Sequence, residues 1–149
     1  MIDPPEIVET AAQPMAYIHL TIPREDIRLV MDPGLSEIMG ALVDQNIEPT
    51  GPWFTHHFRL VPEIFDFEIC VPVDVPVKPV GRVQFGELPA MTVARTIYAG
   101  PYGGLGRAWQ EFSEWIAANG HTPAEDMWEC YVSSPPGKPR TQLNRPLKT

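Results

Sequence analysis

Glu129 is the residue best placed to do chemistry in this sequence. It stands in Met127-Trp128-Glu129-Cys130-Tyr131, a carboxylate among large apolar and aromatic side chains. Burial in such surroundings raises a carboxyl pKa unless a cation or hydrogen-bond donors hold the group ionised. Three roles suit it. It can be the counter-ion of a lipophilic cation, with Trp53, Tyr98, Tyr102 and Tyr131 supplying aromatic faces. It can be a general base that activates water. It can also be a structural carboxylate satisfied by a tyrosine hydroxyl or by backbone amides. Tyr98 and Tyr102 flank Gly100-Pro101 at a strand end, a position that opens onto sites; core packing with the hydroxyl at the rim is their simpler reading.

Other chemistries find no support in the spacing. Gly100-Pro101-Tyr102-Gly103-Gly104-Leu105-Gly106 is glycine-rich before a helix, but it lacks the Gly-Lys-Ser/Thr end of a phosphate loop and the spacing of a dinucleotide fingerprint. His19, His56, His57 and His121 form no metal-ligand pattern. No metal or cofactor is therefore expected. A net charge of −8 argues against direct nucleic-acid binding, which needs a basic surface. It is compatible with cationic ligands. Cys70 and Cys130 sit inside strand-like segments and read as reduced, buried, small apolar residues.

The elements that position these residues follow from hydrophobic period and punctuation. At 149 residues the chain fits one domain, or two small halves sharing a core. Its first residues are acidic and proline-rich, unlike a signal peptide, and no apolar run is long enough to span a bilayer, so a cytoplasmic location is expected. Residues 15–22 read as a strand. Asp32-Pro33-Gly34 reads as a helix start, with Leu35, Ile38, Met39, Leu42 and Val43 as its apolar stripe and Asn46 as its left-handed stop. Residues 53–60 and 65–73 read as strands, and 74–87, with Pro76, Pro79, Gly81 and Gly86, as a linker. Residues 91–98 form a β-branched strand. Leu105, Ala108, Trp109, Phe112, Trp115 and Ile116 make a wide helical stripe, with Trp109 and Trp115 read as core, and Gly120 ends it. Residues 127–133 are the next strand, 134–137 a turn, and 141–147 a last, edge-like strand.

The second half repeats the first at a constant offset. Pro123 lies 74 residues after Pro49, and Pro146 lies 74 after Pro72. At that offset the helix stripes coincide and Gly120 falls on Asn46. The reading is one α+β domain over residues 1–149, built as a tandem βαββ repeat with units at about 15–73 and 88–147. A unit with one helix cannot bury its sheet alone, so two should pair about a pseudo-twofold axis, with antiparallel sheets forming a central groove. The offset also shows where the halves differ. Met127 corresponds to Trp53, Glu129 to Thr55 and Tyr131 to His57. Alternation puts these six on one strand face. Phe54, Phe58, Trp128, Cys130 and Val132 suit the helix side, with His56 an exception read as satisfied or edge-exposed. Glu129 is thus expected to point away from the helices into the groove.

In this order and spacing the motifs resemble the GyrI-like small-molecule-binding family, which includes effector-binding domains of AraC-type and MerR-type regulators. The residues that carry the resemblance are Ala94 through Tyr102, Trp115-Ile116, Asn119-Gly120 and Trp128 through Tyr131. The first half adds Gly51-Pro52-Trp53 and Asp66 through Val73. The resemblance implies a tandem βαββ fold around a groove that binds hydrophobic, often cationic, compounds. A groove glutamate takes the charge, and here it maps to Glu129. Trp53, His57, Tyr98, Tyr102, Met127 and Tyr131 are the candidate walls. The family also includes hydrolases of cyclopropane-containing alkylating compounds, which would implicate Glu129 with Tyr98 or Tyr131, and gyrase modulators that act through protein contacts. Three positions depart from the family pattern: Tyr98 where histidine is frequent, Gln142 where glutamate is usual, and His57 in place of a tyrosine. The resemblance leaves no segment for DNA binding, so a stand-alone member is expected, with a small molecule as its partner and a protein partner as the alternative.

Overall fold

The structure is a computed structural model and describes residues 2–132 and 139–148. The turn expected at 134–137, and Ser133, lie outside the described residues. Strand β1 (Glu6–Glu9) and strand β2 (Gln13–Pro23) come first. A 3-10 turn (Arg24–Asp26) leads into helix α1 (Ile27–Asp44), followed by β3 (Phe54–Leu60), β4 (Ile64–Pro72) and β5 (Gln84–Leu88). Then come β6 (Thr92–Ala99), a second 3-10 turn (Tyr102–Gly104), α2 (Leu105–Ala118), β7 (Met127–Val132) and β8 (Arg140–Pro146). The eight strands form one antiparallel sheet in the order β1-β6-β8-β7-β3-β4-β2-β5. Among the described residues no helix is long and apolar enough to cross a membrane.

The order is symmetric about the β3–β7 junction. There Thr55 pairs with Glu129, Phe54 with Cys130 and His56 with Trp128. Moving each member by 74 residues turns the Phe54–Cys130 pair into the His56–Trp128 pair, and the Thr55–Glu129 pair into itself. Glu129 therefore sits opposite its own counterpart at the centre of the sheet.

Several local expectations change. Helix α1 begins at Ile27, not Asp32, and runs through Pro33. The apolar stripe extends backwards through Ile27, Val30 and Met31, which pack on the α1 core. Proline removes the hydrogen bond that would reach the Leu29 carbonyl, but Leu29 is 72% exposed, so water can take its place. Gly34 lies against Ile69 of β4 where a Cβ would collide, which lets the helix sit close on the sheet. Asn46 (φ 56°) and Gly120 (φ 77°) stop the two helices in the left-handed region, as their positions suggest. The segment read as a linker holds all of β5 but Leu88, and β5 pairs with β2; ahead of the first strand expected at 15–22 lies β1, which pairs with β6. Each edge strand thus belongs by sequence to one half and by hydrogen bonding to the other. Strand β8 is not an edge: it lies between β6 and β7.

The largest correction concerns which face carries the helices. A row of paired residues crosses the sheet from Ile18 to Ile69, Thr55, Glu129, Leu143 and Thr96. Residues paired in this way share one face. Ile18 and Ile69 pack in the core under Ile38, Ala41 and Leu42 of α1, while Leu143 packs in the core under Ala108, Phe112 and Ile116 of α2. Glu129 is therefore on the helix face, between the two helical cores. Alternation assigned the six residues to one face correctly, but period 2 carries no information about which face a helix will cover. The opposite face buries Met15, Phe54, Cys70, Leu88, Val93 and Trp128. Cys70 is buried there and Cys130 half-buried, both as free thiols. His56, on that face, is satisfied: its Nε2 lies 2.8 Å from Asp126 and its Nδ1 3.7 Å from Glu68.

Tyr98 shows why the loop before α2 is glycine-rich. Its buried hydroxyl donates to the Pro101 carbonyl at 2.9 Å, and the 3-10 turn folds across the ring. A Cβ at Gly104 would overlap the Tyr98 hydroxyl and ring. Gly104→Ala is expected to lower stability by about 1–3 kcal/mol, the usual cost of overpacking, read as a lower urea midpoint at unchanged slope. An unchanged midpoint would mean that the turn yields freely.

Candidate functional site

The junction between the helices on that face is a half-open cavity of about 890 Å³. The start of α1 and the 3-10 turn before it form one side, with Ile27, Arg28, Met31 and Arg24. The second 3-10 turn and α2 form the other, with Tyr102, Leu105, Trp109 and Ser113. The sheet supplies the floor: Trp53, His57 and Phe65 from the first half, and Met127, Glu129, Tyr131 and Arg145 from the second. Six sequence candidates, Trp53, His57, Tyr102, Met127, Glu129 and Tyr131, come together here. Tyr98 does not line the cavity; it lies under the turn, with its hydroxyl spent on Pro101.

Glu129 is 8% exposed. Its Oε2 accepts the Trp109 indole N–H at 2.5 Å, and its Oε1 accepts the Tyr131 hydroxyl at 2.8 Å. Tyr131 in turn lies 2.7 Å from the Thr55 hydroxyl, and His57 Nε2 lies 3.2 Å from the same Thr55 oxygen. Burial pushes the Glu129 pKa up, and the bonds from Trp109 and Tyr131 pull it back only in part, so it stays above the ordinary carboxyl value. Burial, with His56 and Arg24 nearby, lowers the His57 pKa to about 4, so the ring is neutral at neutral pH. Burial and the facing Glu129 raise Tyr131 well above its usual value, keeping it a hydroxyl.

Aromatic rings wall this carboxylate. Tyr131 packs on Trp53 at 4.3 Å between centroids and meets Tyr102 edge-on at 6.2 Å. His57 stacks on Phe67 at 5.1 Å. Tyr102 is 57% exposed, at the mouth. Two of the arginines are engaged by the protein itself. Arg24 donates to the Val61 and Pro62 carbonyls and lies 4.2 Å over the Phe65 ring. Arg145 donates twice to the Ala124 carbonyl. Arg28 is exposed, one turn before Asp32 on α1.

Trp109 is the cavity residue that the sequence assigned to the core. It packs at the edge of the α2 core and also hydrogen-bonds Glu129. The same offset that isolates Glu129 holds a signal for it. Trp109 corresponds to Leu35, so the aromatic N–H occurs only in the half that carries the carboxylate. The second half holds Glu129 and both of its donors, whereas the first holds Thr55, Leu35 and His57.

Residues 3–148 match the GyrI-like small molecule binding domain. The chain belongs to this family. Solved structures with the same fold include the EcmrR C-terminal domain, at 20% identity and TM-score 0.84, covering 98% of each chain. EcmrR in its complex with DNA matches at 19% identity and TM-score 0.81, over 98% of this chain and 57% of that one. This chain thus spans little more than half of the EcmrR chain in that complex. SAV2435 bound to tetraphenylphosphonium matches at 13% identity and TM-score 0.68, over 98% of this chain and 94% of that one. No functionally curated protein matches the sequence.

Proposed function

We propose that this GyrI-like domain binds hydrophobic organic cations in the cavity between α1 and α2, with Glu129 as their charge partner. The observation that carries the reading is a nine-tenths-buried carboxylate in the wall of a large aromatic cavity, with no basic side chain bonded to it among the described residues. A carboxylate offers about four acceptor positions, and Trp109 and Tyr131 take two. The remainder faces a low-dielectric space in which a fixed charge acts strongly on a ligand. Trp53, Tyr102 and Tyr131 offer ring faces that favour cations and suit apolar substituents equally. The cavity is of a size that encloses a drug-like molecule. The likeness to a structure bound to tetraphenylphosphonium supports the same class of ligand.

The alternative of a structural carboxylate accounts for the two oxygens held by Trp109 and Tyr131, but not for the volume left open beside them. A ring-opening hydrolase has less support. Of the two tyrosines that the resemblance offers as Glu129's partner, Tyr98 lies outside the cavity, and Tyr131, which lines it, directs its hydroxyl at Glu129 itself.

Calorimetric titration with tetraphenylphosphonium tests the proposal, with triphenylphosphine oxide as a neutral ligand of similar shape. Saturable one-to-one binding is expected, tighter for the cation. Equal affinity for both would remove the charge-partner role, and no binding of either would remove the ligand class.

A further inference from the structure

The hydrogen bonds around Glu129 do not stop at its first donors. They run in single file from β7 across the centre of the sheet into the first half: Glu129 Oε1, Tyr131 hydroxyl, Thr55 hydroxyl, His57 Nε2, at 2.8, 2.7 and 3.2 Å. Thr55 is fully buried and His57 is 6% exposed. The far end is open. His57 Nδ1 is buried and has no hydrogen-bond partner among the described residues.

We propose that Thr55 and His57 are positioning residues that set the charge of Glu129, because this chain can reverse direction as a unit. Each hydroxyl has one proton to give, so one choice dictates the rest. When Glu129 is ionised, Tyr131 donates to it, Thr55 donates to Tyr131, and His57 donates to Thr55 from Nε2, leaving Nδ1 bare. When Glu129 is protonated on Oε1 it donates to Tyr131. Tyr131 then donates to Thr55, and Thr55 to Nε2, so the ring proton sits on Nδ1. Trp109 donates to Oε2 in both states. Every group from Glu129 to His57 Nε2 is paired either way, and Nδ1 stands without a partner among the described residues in both states.

The proton balance between the two states is closed. Passing from the neutral to the ionised form, the Glu129 proton moves to the Tyr131 oxygen, the Tyr131 proton to Thr55, and the Thr55 proton to Nε2. One proton, the one on His57 Nδ1, is lost to water, and no bond other than O–H and N–H changes. The consequence rests on the reading of Glu129 as a ligand's charge partner: an empty cavity can hold the neutral acid with Glu129, Tyr131, Thr55 and His57 Nε2 all paired, and an incoming cation draws out the carboxylate with release of one proton.

The groups facing this chain come from every surrounding element. They are Arg24 from the turn before α1, Arg28 and Asp32 from α1, Tyr102 from the second 3-10 turn, Trp109 from α2 and Arg145 from β8. His56 and Arg24 act electrostatically on His57, in the direction that keeps it neutral. A neutral ring is what the chain requires, since a doubly protonated imidazole cannot accept from Thr55.

The test uses the empty full chain, so it is independent of any ligand. Nitrogen-15 NMR reports which ring nitrogen of His57 carries the proton, and carbon-13 NMR reports the Glu129 carboxyl. As pH falls through the Glu129 transition, His57 is expected to change from the Nε2–H to the Nδ1–H tautomer with the same midpoint. Thr55→Val and Glu129→Gln should each abolish the change, and Thr55→Ser should restore it. A wild-type His57 that keeps one tautomer while Glu129 titrates overturns the proposal. So does a coupled change that survives Thr55→Val. Failure of the cation titration with an intact tautomer change would instead reject only the ligand assignment.

Discussion

Replacing Glu129 by glutamine should weaken tetraphenylphosphonium binding by roughly 10–100-fold and leave triphenylphosphine oxide nearly unaffected. The magnitude follows from Coulomb attraction at close range in a partly desolvated site, several kcal/mol before the cost of stripping water from both charges. A net 1.4–2.8 kcal/mol corresponds to that range of affinity. Glutamine keeps the shape and the capacity to accept from Trp109, so the cavity itself should persist. The variant should be at least as stable as the wild type at neutral pH, because it removes a carboxyl whose ionisation burial opposes. Thermal shift with both ligands reads all of this at once. A variant that still prefers the cation would show that the discrimination comes from the aromatic faces alone. Salt gives a second check: a contact made at the buried carboxylate is screened less than one made at the mouth.

The second large effect lies on the opposite face of the sheet. Burial alone would lower the His56 pKa, but the hydrogen bond to Asp126 and the negative charges of Asp126 and Glu68 outweigh it and raise the value to about 9. The ordinary value is 6.5. A histidine whose folded pKa is raised contributes stability that is complete below the unfolded value and is lost as pH rises through the folded one. Stability should therefore fall between pH 6.5 and about 9, by roughly 3 kcal/mol, or about 6–12 °C in Tm for a chain of this length. His56→Gln should flatten that slope. Glu129 also disfavours the folded state as it ionises, so the informative quantity is the difference between wild type and variant across the window. A variant with the wild-type slope would show that His56 is not the source.

How much of this was legible beforehand differs from element to element. Helix α2 could be read directly: Ala108, Phe112 and Ile116 recur every four residues and Gly120 closes the helix, so local period and punctuation suffice. The start of α1 could not, because proline reads as a beginning unless tertiary packing covers the turns before it. The short strands β1 and β5 were hidden for a different reason. Each gains its place by pairing with the other half of the chain, and no local pattern announces a partner that distant.

The site divides along the same line. Sequence by itself determined the residue types, the offset of 74 and therefore the asymmetry. One half holds a carboxylate where the other holds threonine, and alternation puts five candidate residues, with Thr55, on one face. Tertiary structure decided what that face meets. It set the helices over Glu129, brought the Trp109 N–H to it from α2, withdrew Tyr98 beneath the turn and left a cavity beside the carboxylate. The physical reason is that side-chain period is a property of one strand. Which face is covered, and by whose donors, depends on how two halves far apart in the chain pack together.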